Sequence, residues 1–340
     1  MAGSTSVVVA ALVANGIIAV LKFGGFVLTG SPAMLSETYH SISDTGNQVF
    51  LLIGIRYSGQ RPDDRHPFGY GKAQFFYSFL VSVLLFGIAG WESAKHGYHE
   101  VQVVLGGAVE HGGAEPVTLL GQTFPPVYVN YAVLGGAIVF ESWALYKARA
   151  EMKRQMAEHD WSGYREAFRK TADTTTLTAL TEDTIALAGA GLALVGIFLT
   201  RTLGDPIYDA VSALLIGVLL MGFALALAWQ NKRLLLGESL PNDLEAELRR
   251  VVAGVTDVGR VVDLRTVYFG PQSVVVTADV DFGAGLSGRE IDDRIDEIER
   301  RLVAAEPDIQ SVYVEVEKDD RPSTEGAGGA AGEDHGGEGN

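Results

Sequence analysis

The chain has 340 residues, 47% of them hydrophobic, with 42 Asp and Glu against 26 Lys and Arg for a formal net charge of −16, and no cysteine. Without cysteine there is no disulfide framework and no thiolate metal site, so metal ligands must be nitrogen or oxygen. The acidity argues against nucleic acid as a partner, while this much apolar content beside so acidic a surface points to a chain that lies partly in a membrane.

Apolar runs of the length that crosses about 30 Å of hydrocarbon occur near 6–29, 33–57, 74–97, 127–149, 173–200 and 207–229, which predicts six spans. The first begins just after Ala2-Gly3-Ser4 with neither a basic leader nor a small-residue cleavage site, and reads as a span rather than a signal peptide. Asn15 and Lys22 share one of its faces and are expected to satisfy carboxylates or backbone within the bundle. The second run holds SETYHSISDTGNQ, Ser36 to Gln48, which puts His40 and Asp44 one helical turn apart on one face. An ionisable pair at bilayer depth is costly and marks an ion or proton pathway. The plainer alternative is an interhelical hydrogen-bonded pair with no ligand.

Glu92, His96, His99 and Glu100 recur along one side at the end of the third run, read as the wet end of a helix with cation capture as the alternative; the same holds for Glu110, His111 and Glu115 in the Gly-rich loop that follows. In the fifth run, TALTEDTIALAG sets Glu182 and Asp183 side by side among apolar residues. Each uncompensated charge there would cost about 3 kcal/mol or more. Two spans that each contribute carboxylate at similar depth are what a cation site requires.

Lys and Arg crowd the segments around 56–72, 147–170 and 232–233, whereas the opposite connections hold only Lys95 and Arg201. The positive-inside rule then places both termini in the cytoplasm. After Gly237 the pattern turns soluble: LEAELRRVVAGV at helical period, VVDLRTVYFG and SVVVTADVDF as strands, REIDDRIDEIERRLV as a charged helix, SVYVEVEK as a last strand. The fold expected is an α-helical membrane protein with six transmembrane helices over 1–237 and a cytoplasmic α+β (αββαβ) ferredoxin-like domain over 238–318, followed by a disordered acidic Gly-rich tail over 319–340.

SETYHSISDTGNQ, DDRHPFGYGK, LTEDTIALAG, GDPIYDAVSALLIG and LLGESLP, set in this order of spans and tail, resemble the cation diffusion facilitator family of divalent-metal transporters, and within it the zinc-transporter-9-like subgroup. The resemblance covers about 5–318. It implies a transport site of His40, Asp44 and Asp183. Ala179 stands where most members carry a fourth ligand, and Glu182 or Asn47 is the replacement. It implies a second metal position at Asp64 and His66, but with Tyr70 where many members have another His the loop reads as a structural anchor with metal binding as the alternative; it also implies an ion pair between Lys72 and Asp209, with unrelated interfacial charges as the alternative. The tail region 241–318 has no His or Cys, so a His-containing regulatory metal site cannot be built there.

The function expected is export of zinc, or a similar first-row metal, from the cytoplasm by proton antiport. The alternatives are a manganese, iron or cobalt exporter of the same fold, a non-transporting membrane metal sensor, and a membrane metalloenzyme, for which no further polar cluster speaks. No enzyme activity and no resident cofactor are expected. The partners are the divalent ion, protons, the lipid bilayer and a second copy of the chain as a homodimer. The setting expected is a bacterial or archaeal cytoplasmic membrane.

Overall fold

The computed structural model describes residues 2–107, 117–119, 122–125 and 127–317. Glu110, His111, Glu115 and the acidic tail from Asp319 lie outside the described residues. The chain divides into two compact units, Met1–Pro241 with Thr266–Val275, and Asn242–Arg265 with Val276–Asn340.

The first unit is built from long helices: α1 (Ala2–Thr29), α2 (Pro32–Ser58), α3 (Lys72–Leu84) continuing through a π-helical turn at Leu85–Gly90 into α4 (Trp91–Leu105), α5 (Val127–Glu158), the short α6 (Tyr164–Lys170), α7 (Thr174–Leu203) and α8 (Ile207–Leu235). A two-stranded ribbon, β1 (Val117–Leu119) and β2 (Gln122–Phe124), precedes α5. The boundaries follow from the local sequence. Ser31 caps α2 by accepting from the Met34 amide, with Pro32 at its first turn, and Asp173 caps α7 by accepting from Thr175 and Thr176. Gly204, at φ 74°, ends α7 in the left-handed conformation that favours glycine.

Among the described residues, three helices are long and apolar enough to cross a membrane: Lys72–Leu105, Thr174–Leu203 and Ile207–Leu235. α2 and α5 fall short for a chemical reason. α2 carries Glu37, His40, Asp44 and Asn47, all buried, and α5 carries the buried Asn130 and Glu141. Leu85, Leu134, Ile185, Ile216 and Leu220 form the apolar core between helices. Where α4 crosses α8, a Cβ built on Gly217 would strike the backbone of Ala94, and one on Gly97 the backbone of Leu214, so these two glycines permit the close approach.

The second unit supplies α9 (Asn242–Ala253), most of β3 (Val258–Gly270) and β4 (Ser273–Phe282), α10 (Gly288–Ala305) and β5 (Ile309–Val316). The elements come in the order αββαβ, and the sheet order is β3-β4-β5. Val276, Ala278 and Val280 of the central strand are buried, as are Leu248 and Val252 of α9 and Ile298 and Leu302 of α10. A reciprocal capping box between Ser287 and Glu290 starts α10.

Candidate metal site in the helix bundle

The site lies where α2 meets α7. The 3.6-residue period lines Glu37, His40, Asp44 and Asn47 along one side of α2, and all four are buried. His40 Nδ1 is 3.4 Å from Asp44 Oδ1. Asn47 Nδ2 donates to Glu182 Oε1 at 2.7 Å, a buried bond between α2 and α7. Asp183, the next residue on α7, turns about 100° away from Glu182 and is only partly buried. Glu141 of α5 is also buried and lies within electrostatic reach of Asp44, Glu182 and Asp183. His40, Asp44 and Asn47 thus stand on α2 and Glu182 and Asp183 on α7, with Glu182 rather than Asp183 hydrogen-bonded to α2.

What sets this seam apart is its unmet hydrogen-bonding capacity. Both ring nitrogens of His40, Asp44 Oδ1, Asn47 Oδ1 and Glu37 Oε1 are buried without a hydrogen-bond partner. Native interiors leave few buried polar atoms unpaired, and each such atom calls for an explanation. Here they cluster on a single helix face and combine one imidazole with oxygen donors, a set that suits Zn²⁺ and other first-row divalent ions. No group of three or more His, Asp or Glu side chains converges on one point among the described residues. The donors lie along one face of α2 and, among the described residues, do not close a cage.

Residues 8–236 match the cation efflux transmembrane domain, and residues 240–319 match the cation efflux protein cytoplasmic domain. The chain belongs to the cation efflux family. The polar seam of this cation efflux protein lies wholly within the matched transmembrane domain. The chain is 31% identical over 280 residues to the proton-coupled zinc antiporter SLC30A9, mitochondrial, of Homo sapiens, covering 82% of the chain and 46% of that protein. It is 27% identical over 281 residues to metal tolerance protein C4 of Arabidopsis thaliana, covering 82% of the chain and 57% of that protein. A shorter match, 34% over 94 residues and 28% of each chain, is to the magnetosome protein MamM of Paramagnetospirillum magneticum. The chain therefore spans about half the length of the curated relatives it matches most fully at about 30% identity. The resemblance to the zinc-transporter-9-like subgroup holds.

One expectation is corrected. Lys72 and Asp209 do not pair. Lys72 starts α3, just past the Ser58 end of α2, whereas Asp209 accepts from the Ala33 amide at the Pro32 end. The 27 residues of α2 separate these ends by about 40 Å. Asp209 caps α2, and Lys72 Nζ sits 4.7 Å from the centre of the Phe269 ring within the same unit. The loop that carries Asp64 and His66 is organised by its own hydrogen bonds. The organising carboxylate is Asp63, which accepts from the amides of Arg65 and His66 and from Tyr70 Oη at 2.7 Å, while His66 stacks on Tyr70 with ring centres 4.1 Å apart. That is a built turn, with Tyr70 in the structural role.

On α4, His96 Nε2 lies 3.9 Å from Glu100 Oε1, and Lys95 pairs with Glu92, each a pair along a partly exposed helix face. Sequence reasoning passed over Glu37 and Glu141. Glu37 precedes His40 by one turn on the same face, and Glu141 is a lone carboxylate inside an apolar run, so both carried a readable signal.

Proposed function

We propose that this protein carries a divalent first-row metal ion, with Zn²⁺ as the principal substrate, across a membrane in exchange for protons. The observation that carries the reading is the row of buried donor atoms on α2 that accept or donate no hydrogen bond, His40 Nδ1 and Nε2, Asp44 Oδ1 and Asn47 Oδ1, on the helix that bonds to a carboxylate of α7. His40, Asp44, Asn47, Glu182 and Asp183 are the proposed ligands. A metal and protons compete for the same imidazole and carboxyl groups, so loading one releases the other. Relatives named as proton-coupled zinc antiporters support both halves of this exchange.

In this reading all six long helical segments cross the bilayer. The basic segments near 56–72 and 147–170 face the cytoplasm together with both termini. The C-terminal unit joins two copies into a homodimer, giving the bundles a fixed base against which to move. The protein acts as a carrier and catalyses no covalent chemistry. Manganese, iron or cobalt are the competing cargoes because hard oxygens outnumber nitrogen in the ligand set. Ala179, standing where most relatives carry a fourth ligand, favours a second reading, a membrane metal sensor that moves nothing.

Purified protein in sealed vesicles with a lumenal pH dye and a lumenal metal dye separates these. Antiport moves Zn²⁺ and protons in opposite directions in step. Zn²⁺ uptake without a pH change removes the antiport half, and tight binding with no flux establishes the sensor.

A further inference from the structure

Lys22 of α1 is fully buried, and its ammonium lies 2.7 Å from Oε2 of the equally buried Glu37. A buried ion pair repays its desolvation only when the remaining lone pairs and protons are also satisfied. This one is half finished, because Glu37 Oε1 has no partner. That oxygen points at the backbone of α7 at Gly189, where an added Cβ would run into it. Gly189 lies two turns beyond Glu182, and Glu37 lies ten residues before Asn47, so the two contacts belong to one antiparallel α2/α7 seam extending about 15 Å along α2. Asp44 and Glu141 also stand within electrostatic reach of the Lys22 ammonium.

We propose that Glu37 is a further cation position on this seam and that Lys22 is its tethered occupant, an internal ammonium that an arriving divalent ion displaces. The inference rests on the transport reading above. A lysine ammonium is a compact point charge on a flexible stem, and a divalent ion attracts the same carboxylate with twice its charge. When the ion takes Glu37, the ammonium keeps Glu141 within its field. When Lys22 swings back, it pushes the ion off Glu37, so the site does not hold its cargo.

Two measurements on the full chain test this: the Zn²⁺ affinity of detergent-solubilised protein by chelator competition, and the KM and kcat of Zn²⁺ flux in vesicles. Lys22→Gln removes the competitor, and both dissociation constant and KM fall about tenfold while kcat also falls about tenfold, the scale of losing one nearby charge. The double variant Lys22→Gln/Glu37→Gln keeps a neutral hydrogen-bonded pair of similar shape and is expected to fold even where Lys22→Gln alone does not. Its kcat falls about tenfold because the carboxylate is gone, at unchanged melting temperature. A folded double variant with wild-type kcat makes the pair structural and overturns the proposal, as does a folded Lys22→Gln with unchanged Zn²⁺ affinity. Lys22-dependent binding in a protein that moves no metal keeps the site and sinks the transport reading. A wild type that binds no metal overturns both.

Discussion

Asn47 and Glu182 are hydrogen-bonded across the α2/α7 boundary at 2.7 Å, with the amide as donor and the carboxylate as acceptor. The bond fixes which face of α7 meets α2 and so decides which of two adjacent acids stands beside the His40 and Asp44 turn. It also leaves Asn47 Oδ1 free to coordinate.

The two partners are therefore expected to be coupled. Asn47→Ala and Glu182→Gln should each weaken Zn²⁺ binding, and the double variant should fall short of their sum by roughly 0.5–3 kcal/mol, the range for residues in one network. A double-mutant cycle on Zn²⁺ affinity checks this. Strict additivity would place the two residues in separate roles.

Removing a charge from the α2 turn should be more damaging than removing one from the neighbouring α4 face. Asp44→Asn and His40→Ala are expected to lower kcat/KM for Zn²⁺ by more than tenfold, since each deletes one of few donors. His96→Ala, on a partly exposed pair, should stay within about twofold, as for exposed ion pairs. Initial flux rates in vesicles give the comparison, and an inverted order would move the site to α4.

The Asp63–Tyr70 bond predicts a titration with a definite sign. Tyr70 donates to Asp63, and this pushes the phenol up to about 12 while holding the Asp63 carboxyl below its usual range. The tyrosine contribution is complete below the unfolded value of about 10 and is lost as pH rises through about 12. The aspartate contribution is present above its unfolded value of about 3.9 and is lost as pH falls through its depressed folded value. Asp63→Asn should bring one tyrosine back to ordinary titration in the difference absorbance spectrum. Tyr70→Phe should loosen the loop and leave Zn²⁺ stoichiometry unchanged, as expected of a turn that only anchors the loop; a lost equivalent of bound metal would show instead that the loop binds metal.

Close packing of α4 on α8 sets a steric prediction. Gly217→Val would drive side-chain atoms into the Ala94 backbone and is expected to cost about 1–3 kcal/mol, as overpacking does. Gly222→Ala on the same helix, where an added Cβ meets nothing within 4 Å, should be neutral or mildly stabilising. Thermal unfolding in detergent compares the two.

Much of this protein was legible before any fold was known. Apolar period and length located the long helices, alternation and helical period gave the αββαβ order of the second unit, and polar residues in apolar runs marked α2 and α7, because burying such groups without a purpose is too costly to persist. Motif resemblance reached the family. Pairing across helices was beyond it. Sequence spacing relates residues on one element, whereas the Asn47–Glu182 bond, the Lys22–Glu37 pair and the choice between Glu182 and Asp183 depend on how helices rotate against each other. The same limit explains the Lys72–Asp209 error, in which two plausible charges lay at opposite ends of α2. In the loop, Asp63 collects two amides and a phenol, a local hydrogen-bond pattern that the spacing of Asp64 and His66 does not announce. Composition and period thus determined the elements and the chemistry they could hold, and tertiary packing alone decided which of those groups meet.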